Sequence, residues 1–167
     1  SLPMKKDGIN YSNLFSPNFM LRYAPGHMRN LSEKDFTLDY TNLYSLNKTP
    51  EIEDGLSLIL GFGYKNNEKR EDNSTKEKLS LSLGQVFNYE TNKDIPIKSS
   101  LDQKMSDIVG EINYNFSEIG NIDYKFSLDH NLNDFNYNEI STVLDFGKVE
   151  FNLDYLEEQK DRKSTRL

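Results

Sequence analysis

The sequence has no cysteine, no tryptophan and only two histidines. Without cysteine there is no disulfide, no zinc thiolate site and no thiol nucleophile. His27 and His130 lie far apart and have no carboxylates at ligand spacing, so no metal site is predicted. No serine lies in a Gly-x-Ser-x-Gly turn. Gly61, Gly63 and Gly84 lie inside alternating segments, where glycine serves close packing or bending of a sheet. Neither an enzyme nor a cofactor is therefore indicated.

Positive charge is in deficit, and long apolar runs are missing. The chain of 167 residues carries 20 lysines and arginines against 27 aspartates and glutamates, a net charge of −7. No basic stripe is available to neutralise phosphates, so no nucleic-acid partner is expected. No apolar run is long enough for a membrane helix, and the mean hydropathy is −0.75. Strands of a membrane barrel are apolar only at alternate positions, so these values do not exclude a barrel.

Apolar and polar residues alternate in five segments. Successive side chains of a strand point to opposite faces, so each segment is predicted to be a strand with one apolar and one polar face. The polar positions carry charges and amides, so that face must contact water. The apolar rows are Leu56, Leu58, Leu60, Phe62 and Tyr64; Leu79, Leu81 and Leu83; Ile108, Ile112, Tyr114 and Phe116; Ile122, Tyr124, Phe126 and Leu128; Val149, Phe151, Leu153 and Tyr155.

The pattern predicts about seven or eight antiparallel strands. Residues 66–76 and 90–105 are predicted to be long loops, and 118–120 and 147–148 to be tight turns. Membrane barrels place short turns at one rim and longer loops at the other, and only the loop at 66–76 breaks that alternation. The predicted strands cover 18–24, 54–65, 77–89, 106–117, 121–130, 135–146 and 149–156, and residues 34–46 are predicted to be a strand followed by a turn or a short irregular stretch.

Two architectures account for this pattern: a sheet with one face packed on a core, and the wall of a membrane barrel. Several predicted strands exceed the usual soluble length of about 5–6 residues and approach the roughly 9–11 residues of a tilted membrane-spanning strand. Aromatic residues gather near predicted strand ends, as in an interfacial girdle. The pattern favours the barrel. A porin or autotransporter, and a soluble β-sandwich binding domain, are the alternatives.

Four pieces of the chain carry motifs in a fixed order. The first is Phe-Met-Leu-Arg-Tyr-Ala-Pro-Gly at 19–26. The second is Leu-Tyr-Ser-Leu-Asn at 43–47 with Glu-Asp-Gly-Leu-Ser-Leu-Ile-Leu-Gly-Phe-Gly-Tyr at 53–64. The third is Leu-Gly-Gln-Val-Phe at 83–87, and the fourth is Ile-Pro at 95–96 with Ser-Leu-Asp-Gln-Lys-Met-Ser-Asp-Ile-Val-Gly at 100–110. In this order they resemble the motifs LRYSP, FSLNR…EGG…LTLGLEY, GQVYR and LP…SGLDxxxSDIVG of the LptD family, also called OstA.

The resemblance implies an all-β fold, a partial antiparallel transmembrane β-barrel of about seven or eight strands. It implies a non-enzymatic translocon in the outer membrane of a Gram-negative bacterium, which inserts lipopolysaccharide into the outer leaflet. The implied partners are lipopolysaccharide, outer-membrane lipids, an LptE-like lipoprotein plug and the periplasmic Lpt bridge proteins. Two departures stand out: Lys48 replaces the family's arginine, and Asp54 replaces one of its paired glycines.

Alternation and resemblance together define three sets of candidate residues. The first is the family-motif loop and strand set. Four of its members, Pro96, Ser106, Asp107 and Gly110, are expected to fix an inward-folding loop for assembly or plug contact. The plainer alternative is that Asp107 caps a turn and Gly110 relieves packing. The family-motif loop and strand set is Pro96, Leu101, Asp102, Ser106, Asp107 and Gly110. The lumen-facing set is Asn113, Asn115, Asp123 and Lys125. The lipid-facing set is Leu56, Leu58, Leu60, Phe62, Leu79, Leu81, Leu83, Ile112, Tyr124, Phe126, Phe151 and Leu153.

Both ends of the chain are expected to be open. Ser1 is not an initiator methionine, so we expect the true N-terminus to lie upstream. Residues 161–167, Asp-Arg-Lys-Ser-Thr-Arg-Leu, resemble the translation of a common sequencing adapter, so we expect an artefact there. The predicted natural unit is therefore 1–160, a fragment of an LptD-like C-terminal barrel without the family's periplasmic β-jellyroll and without the closing strands.

Overall fold

A computed structural model describes residues 1–49, 51, 53–70 and 74–159. Eight strands form one antiparallel sheet in which each strand pairs with its neighbours in the sequence. Within these residues the first and last strands do not pair with each other, so the sheet is an open arc. The predicted all-β fold of a partial barrel is confirmed. The strands are β1 (Met4–Asp7), β2 (Tyr11–Ala24), β3 (Gly55–Lys69), β4 (Thr75–Asn88), β5 (Ile108–Asn115), β6 (Gly120–Leu128), β7 (Phe135–Asp145) and β8 (Glu150–Glu158).

Connection lengths differ between the two ends of the sheet. At one end, which we call the loop rim, the connections are residues 25–54, 89–107 and 129–134. At the opposite turn rim, every connection is short: 8–10, 70–74, 116–119 and 146–149. The helical element of the described residues is a 3₁₀ turn at Ile97–Ser99 in the 89–107 loop. A helix long and apolar enough to cross a membrane is not found in the described part of the chain.

The prediction of a solvated loop over 66–76 is wrong. Residues 66–69 belong to β3 and residues 75–76 to β4, while 71–73 lie outside the described residues. Charge pairs join the ends of these two strands to the neighbouring turn, because Arg70 and Lys76 both pair with Glu118. The ends of β3 and β4 consist of polar and charged residues, so the sequence shows no apolar alternation there. With this correction, short and long connections alternate regularly around the arc.

The strand predicted at the start of 34–46 is also wrong, whereas the turn predicted after it is present. This segment forms turns, in which Asp39 Oδ1 accepts N–H bonds from the residues two and three positions further on. Leu38 and Leu43 of this segment are buried in a core and do not line one face of a sheet. Strand β1 and the 11–17 part of β2 are not predicted, since polar residues interrupt the alternation there.

The register separates an outer apolar face from an inner polar face. Residues directly opposite each other in an antiparallel pair share a face of the sheet. The outer face is illustrated by a row across five strands: Leu81, Ile112, Tyr124, Ile140 and Tyr155. The matching inner row is Ser80, Asn113, Asp123, Ser141 and Asp154. The strands therefore have one apolar and one polar side, as the alternation predicts.

The core lies on the inner face, close to the loop rim. Both long loops fold back over β3 to β5 and bury apolar side chains there. A fully buried leucine or isoleucine contributes roughly 1.5–3 kcal/mol, so this packing stabilises the inward-folded loops substantially. The core residues are Leu38 and Leu43 of the 25–54 loop, Ile95 and Leu101 of the 89–107 loop, and Ile59, Val86 and Val109 of the strands.

Candidate functional site

Two facing glycines form the surface on which the 25–54 loop packs. Gly61 of β3 and Gly84 of β4 lie directly opposite each other. A Cβ atom added at Gly84 would lie 2.3 Å from Leu43 Cδ2. One added at Gly61 would lie 2.3 Å from the backbone oxygen of Leu83 and 2.5 Å from the Tyr44 hydroxyl. Glycine is needed here because the loop side chains approach the sheet backbone closely.

Arg22 of β2 fastens the end of the 25–54 loop to the inner face. Its Nε atom donates to the backbone oxygen of Leu46, and its Nη2 atom donates to the backbone oxygen of Glu53. Nη1 lies 3.8 Å from Glu53 Oε2. The planar guanidinium offers five donors in a fixed geometry, so one side chain can bind two segments of the same loop at once.

The carboxylate of Glu53 also folds the loop onto itself. Glu53 Oε1 accepts the backbone N–H groups of Lys48 and Thr49, the second at 2.7 Å. Lys48 Nζ lies 3.6 Å from Glu53 Oε2, and burial lowers the pKa of the Lys48 amine. Arg22, Lys48 and Glu53 are each no more than 6% exposed, so two buried cations share one buried carboxylate. We call these three residues the arginine clamp.

Ser106 and Asp107 fix the second loop where it enters β5. The Ser106 N–H donates to the backbone oxygen of Val86 at 2.9 Å, and the Val86 N–H donates to Ser106 Oγ at 2.9 Å. Asp107 Oδ2 accepts from Ser127 Oγ at 2.7 Å and from Asn136 Nδ2 at 2.9 Å. These two residues therefore join the loop to β4, β6 and β7. We call them the aspartate clamp.

Three further residues of the family-motif set shape the same loop. Pro96 and Leu101 are buried, and Pro96 precedes the 3₁₀ turn. The turn ends at Ser100, which has φ of 57° and whose Oγ accepts the Asp107 N–H at 2.8 Å. The backbone oxygen of Asp102 accepts the Asn92 N–H at 3.0 Å. Pro96, Leu101, Asp102, Ser106 and Asp107 thus lie in one inward-folded structure.

Gly110 lies apart from this group. It is on the outer face of β5, directly opposite Phe126 of β6. The Phe126 ring covers it, and a Cβ atom at Gly110 would lie 2.4 Å from Phe126 Cζ. Gly110 thus accommodates an aromatic ring on the outer face, which is the plainer of the two roles considered for it.

The four residues predicted to face a lumen lie on the inner face of β5 and β6. Asn113 is opposite Asp123 and donates to its carboxylate. Lys125 Nζ lies 3.7 Å from Glu139 Oε1 of β7. Asn115 Nδ2 donates at 3.0 Å to the backbone oxygen of Glu77 in β4. All four side chains are half-exposed and take part in polar contacts between strands.

The twelve residues predicted to face lipid all share the outer face. Leu60 is 43% exposed and Leu153 is 66% exposed, so the apolar rows have no cover in the described structure. An apolar surface that runs across so many strands is not typical of a monomer in water. It requires an apolar environment or a partner.

The arginine clamp is the part of the site that the sequence did not single out. A signal was available, because each of its residues lies in or beside a motif piece: Arg22 in the first, Lys48 directly after 43–47, and Glu53 at the start of 53–64. The structure brings these pieces together at one buried point. Lys48 at the family's arginine position keeps a cation beside Glu53. No group of three His, Cys, Asp or Glu side chains suited to a metal occurs in the described residues.

Comparison with known proteins agrees with the motifs. The family described as LPS transport system D, LptD, matches residues 1–167, which is the whole chain. No curated protein matches the sequence. LptD proteins are outer-membrane proteins of Gram-negative bacteria that act in lipopolysaccharide transport and assembly. With its motifs, its alternating strands and a family match over its full length, this chain belongs to the LptD family.

Proposed function

We propose that this chain is part of the wall of an outer-membrane translocon that inserts lipopolysaccharide into the outer leaflet. The observation that carries the proposal is the two-faced arc, with apolar rows outside and charges and amides inside. Such a sheet separates lipid from water. Its outer rows, such as Leu56 to Phe62, contact membrane lipid. Asn113, Asn115, Asp123 and Lys125 line a hydrated lumen.

Residues 1–160 are an arc of a larger barrel in this proposal. Within the described residues β8 pairs with β7 on one side only, and Phe151 and Leu153 of its outer face are 58% and 66% exposed. Unpaired backbone groups of an edge strand cannot face lipid, so further strands must continue the wall. The proposed adapter artefact at 161–167 lies outside the described residues.

The loop rim faces the cell exterior in this arrangement. Outer-membrane barrels have short periplasmic turns and longer extracellular loops, and the arc has short connections at one rim and long ones at the other. The 25–54 and 89–107 loops then close the lumen from outside, against the inner face of β3 to β5. The proposed partners are lipopolysaccharide, outer-membrane lipids, an LptE-like lipoprotein plug and the periplasmic Lpt bridge proteins.

A pair of arginine substitutions on adjacent residues tests the membrane wall. Leu81 is on the outer face and Ser82 on the inner face of β4. Leu81→Arg should cost about 2–4 kcal/mol if it faces the bilayer interior, whereas Ser82→Arg should change stability little. The measurement is the urea midpoint of the folded, heat-modifiable form in outer-membrane preparations. Equal costs for the two variants would contradict the lipid-facing assignment.

The genomic locus tests the larger barrel. Sequencing through both ends should reveal an upstream signal peptide and jellyroll domain, with further alternating strands after Lys160. A barrel without the jellyroll would point to a porin-like channel instead. A stop codon directly after Leu167 would favour the soluble sheet and contradict the proposal.

A further inference from the structure

The arginine clamp buries an excess of positive charge. Arg22 and Lys48 are 6% and 2% exposed, and they share the carboxylate of Glu53, which is 5% exposed. Among the described residues, no second carboxylate lies within 4.0 Å of either cation. A buried charge is costly unless an opposite charge and hydrogen bonds compensate it. The clamp therefore calls for one more negative charge than the chain supplies there.

Both cations lie beyond hydrogen-bond distance from the carboxylate that they share. Arg22 Nη1 is 3.8 Å and Lys48 Nζ is 3.6 Å from Glu53 Oε2, whereas a charge-assisted N–H···O bond is about 2.7–2.9 Å long. The other oxygen, Oε1, already accepts the backbone N–H groups of Lys48 and Thr49. Neither cation is therefore closely bonded to the carboxylate between them.

Two buried polar side chains at the clamp have hydrogen-bonding capacity to spare. The Lys48 ammonium carries three donors, and its Nζ atom has no hydrogen-bond partner within the described part of the chain. The same is true of Ser57 Oγ. Ser57 of β3 is directly opposite Arg22 of β2, so both share the inner face. Because buried polar groups in proteins are nearly always hydrogen-bonded, these groups indicate a ligand that accepts hydrogen bonds.

We propose that the arginine clamp binds a small monovalent anion, of the size of chloride, beside Lys48 Nζ and Arg22 Nη1. With this ion, two buried cations face two buried anions, and the group is electrically neutral. The ion accepts hydrogen bonds and donates none, which suits an ammonium and a guanidinium. A water molecule would accept the same bonds but would leave the excess charge in place. A divalent anion would replace it by an excess of the opposite sign.

The site depends on lysine at position 48. The motif of the LptD family has arginine there, and the guanidinium of arginine is a larger, planar group with five donors. The compact ammonium of Lys48 leaves beside Glu53 the space that a guanidinium would fill. The site also depends on the folded loop, since Lys48 and Glu53 belong to residues 25–54 and Arg22 belongs to β2. Anion binding therefore favours the inward-folded form of this loop.

Chloride dependence of stability tests the site in the full-length protein of outer-membrane preparations. A ligand that binds only the folded form at ten times its dissociation constant raises the folding equilibrium constant about elevenfold. The measurement is the urea midpoint of the folded, heat-modifiable form in sodium chloride and in sodium gluconate at equal ionic strength, because gluconate is too bulky for the site. We expect a higher midpoint in chloride, and slower trypsin cleavage within 25–54.

Three variants separate a bound ion from a general salt effect. Lys48→Met removes the excess charge, and Lys48→Arg fills the space, so both should lose the chloride dependence. Lys93→Met, at an exposed lysine of the 89–107 loop, should keep it. A general salt effect would act on the wild type and on all three variants alike.

Two results would overturn the proposal. Equal urea midpoints of the wild type in chloride and gluconate would mean that the ammonium is satisfied by water or has lost its proton. A chloride dependence that Lys48→Met retains would place the ion elsewhere. Crystals of the wild type grown in bromide should show an anomalous peak beside Lys48 Nζ, and a peak in Lys48→Met crystals at the same place would equally contradict the assignment.

Discussion

The inner face of the sheet has two different parts. Over β3 and β4 it is covered by the two long loops, and over most of β5 to β8 it is bare. Under the loops, Gly61 and Gly84 leave room at the sheet backbone for Tyr44 and Leu43, and the buried Arg22 of β2 holds the end of the 25–54 loop. On the inner face of β5 to β8, the inner positions carry mainly carboxylate and amide side chains instead of glycine. The outer face is apolar along both parts. Side-chain size and charge at the inner positions therefore decide where the chain's own loops can pack on the sheet.

Arg22→Ala is expected to have the largest effect on the covered part of the inner face. This change leaves Glu53 buried without its arginine partner and removes the donors to two backbone carbonyls. Removing one partner of a buried ion pair typically costs about 3–5 kcal/mol, and we expect a loss of that size. The urea midpoint of the folded form measures it, and trypsin cleavage within 25–54 reports release of the loop.

Arg70→Ala is the matched control for the arginine clamp. Arg70 pairs with Glu118 at the exposed turn rim, where solvent screens the interaction, so little change is expected. If Arg22→Ala left the 25–54 loop as resistant to trypsin as Arg70→Ala does, the packing of Leu38 and Leu43 alone would hold the loop.

A second substitution tests whether glycine at position 61 is required for the 25–54 loop to pack on the sheet. Gly61→Ala places a Cβ atom 2.3 Å from the Leu83 backbone oxygen and 2.5 Å from the Tyr44 hydroxyl. One of these groups must move, and overpacking of this kind costs about 1–3 kcal/mol. Gly63→Ala is the control on the same strand and face, because its nearest neighbour would be Ser82 Oγ at 3.9 Å. Equal urea midpoints for the two variants would contradict the role of Gly61.

The outer face could be predicted from the sequence, and the covered inner face could not. A sheet with one apolar and one polar face imposes a period of two on rows such as Leu56 to Tyr64, and that period is visible in the residues themselves. The loops obey no such period. Leu43 enters the core from a turn, and Arg22 bonds to groups 24 and 31 positions away. Motif resemblance marked these segments, but the contacts between them depend on how the loops return to the sheet.

The smallest effect is expected at Lys98, which connects the loops of the covered part to the last strand of the bare part. The hydrogen bonds from its ammonium to Asp35 and Glu158 raise the pKa of Lys98 above its usual 10.5. Because the folded pKa is the higher one, the contribution is complete below the unfolded pKa. It is lost as the pH rises through the folded pKa. The site is partly exposed and screened, so Lys98→Met should cost less than about 1 kcal/mol.

The urea midpoints of wild type and Lys98→Met, compared at about pH 8 and about pH 12, check this sign. Their difference should become smaller at the higher pH, as the ammonium loses its proton, and should also shrink in high salt. Lys93→Met, at an exposed lysine of the same loop, is the control and should show neither dependence. A difference that persisted at both high pH and high salt would assign the stabilisation to packing of the alkyl stem. The contact of Lys98 between the loops and β8 would then be stabilised by apolar packing and not by charge.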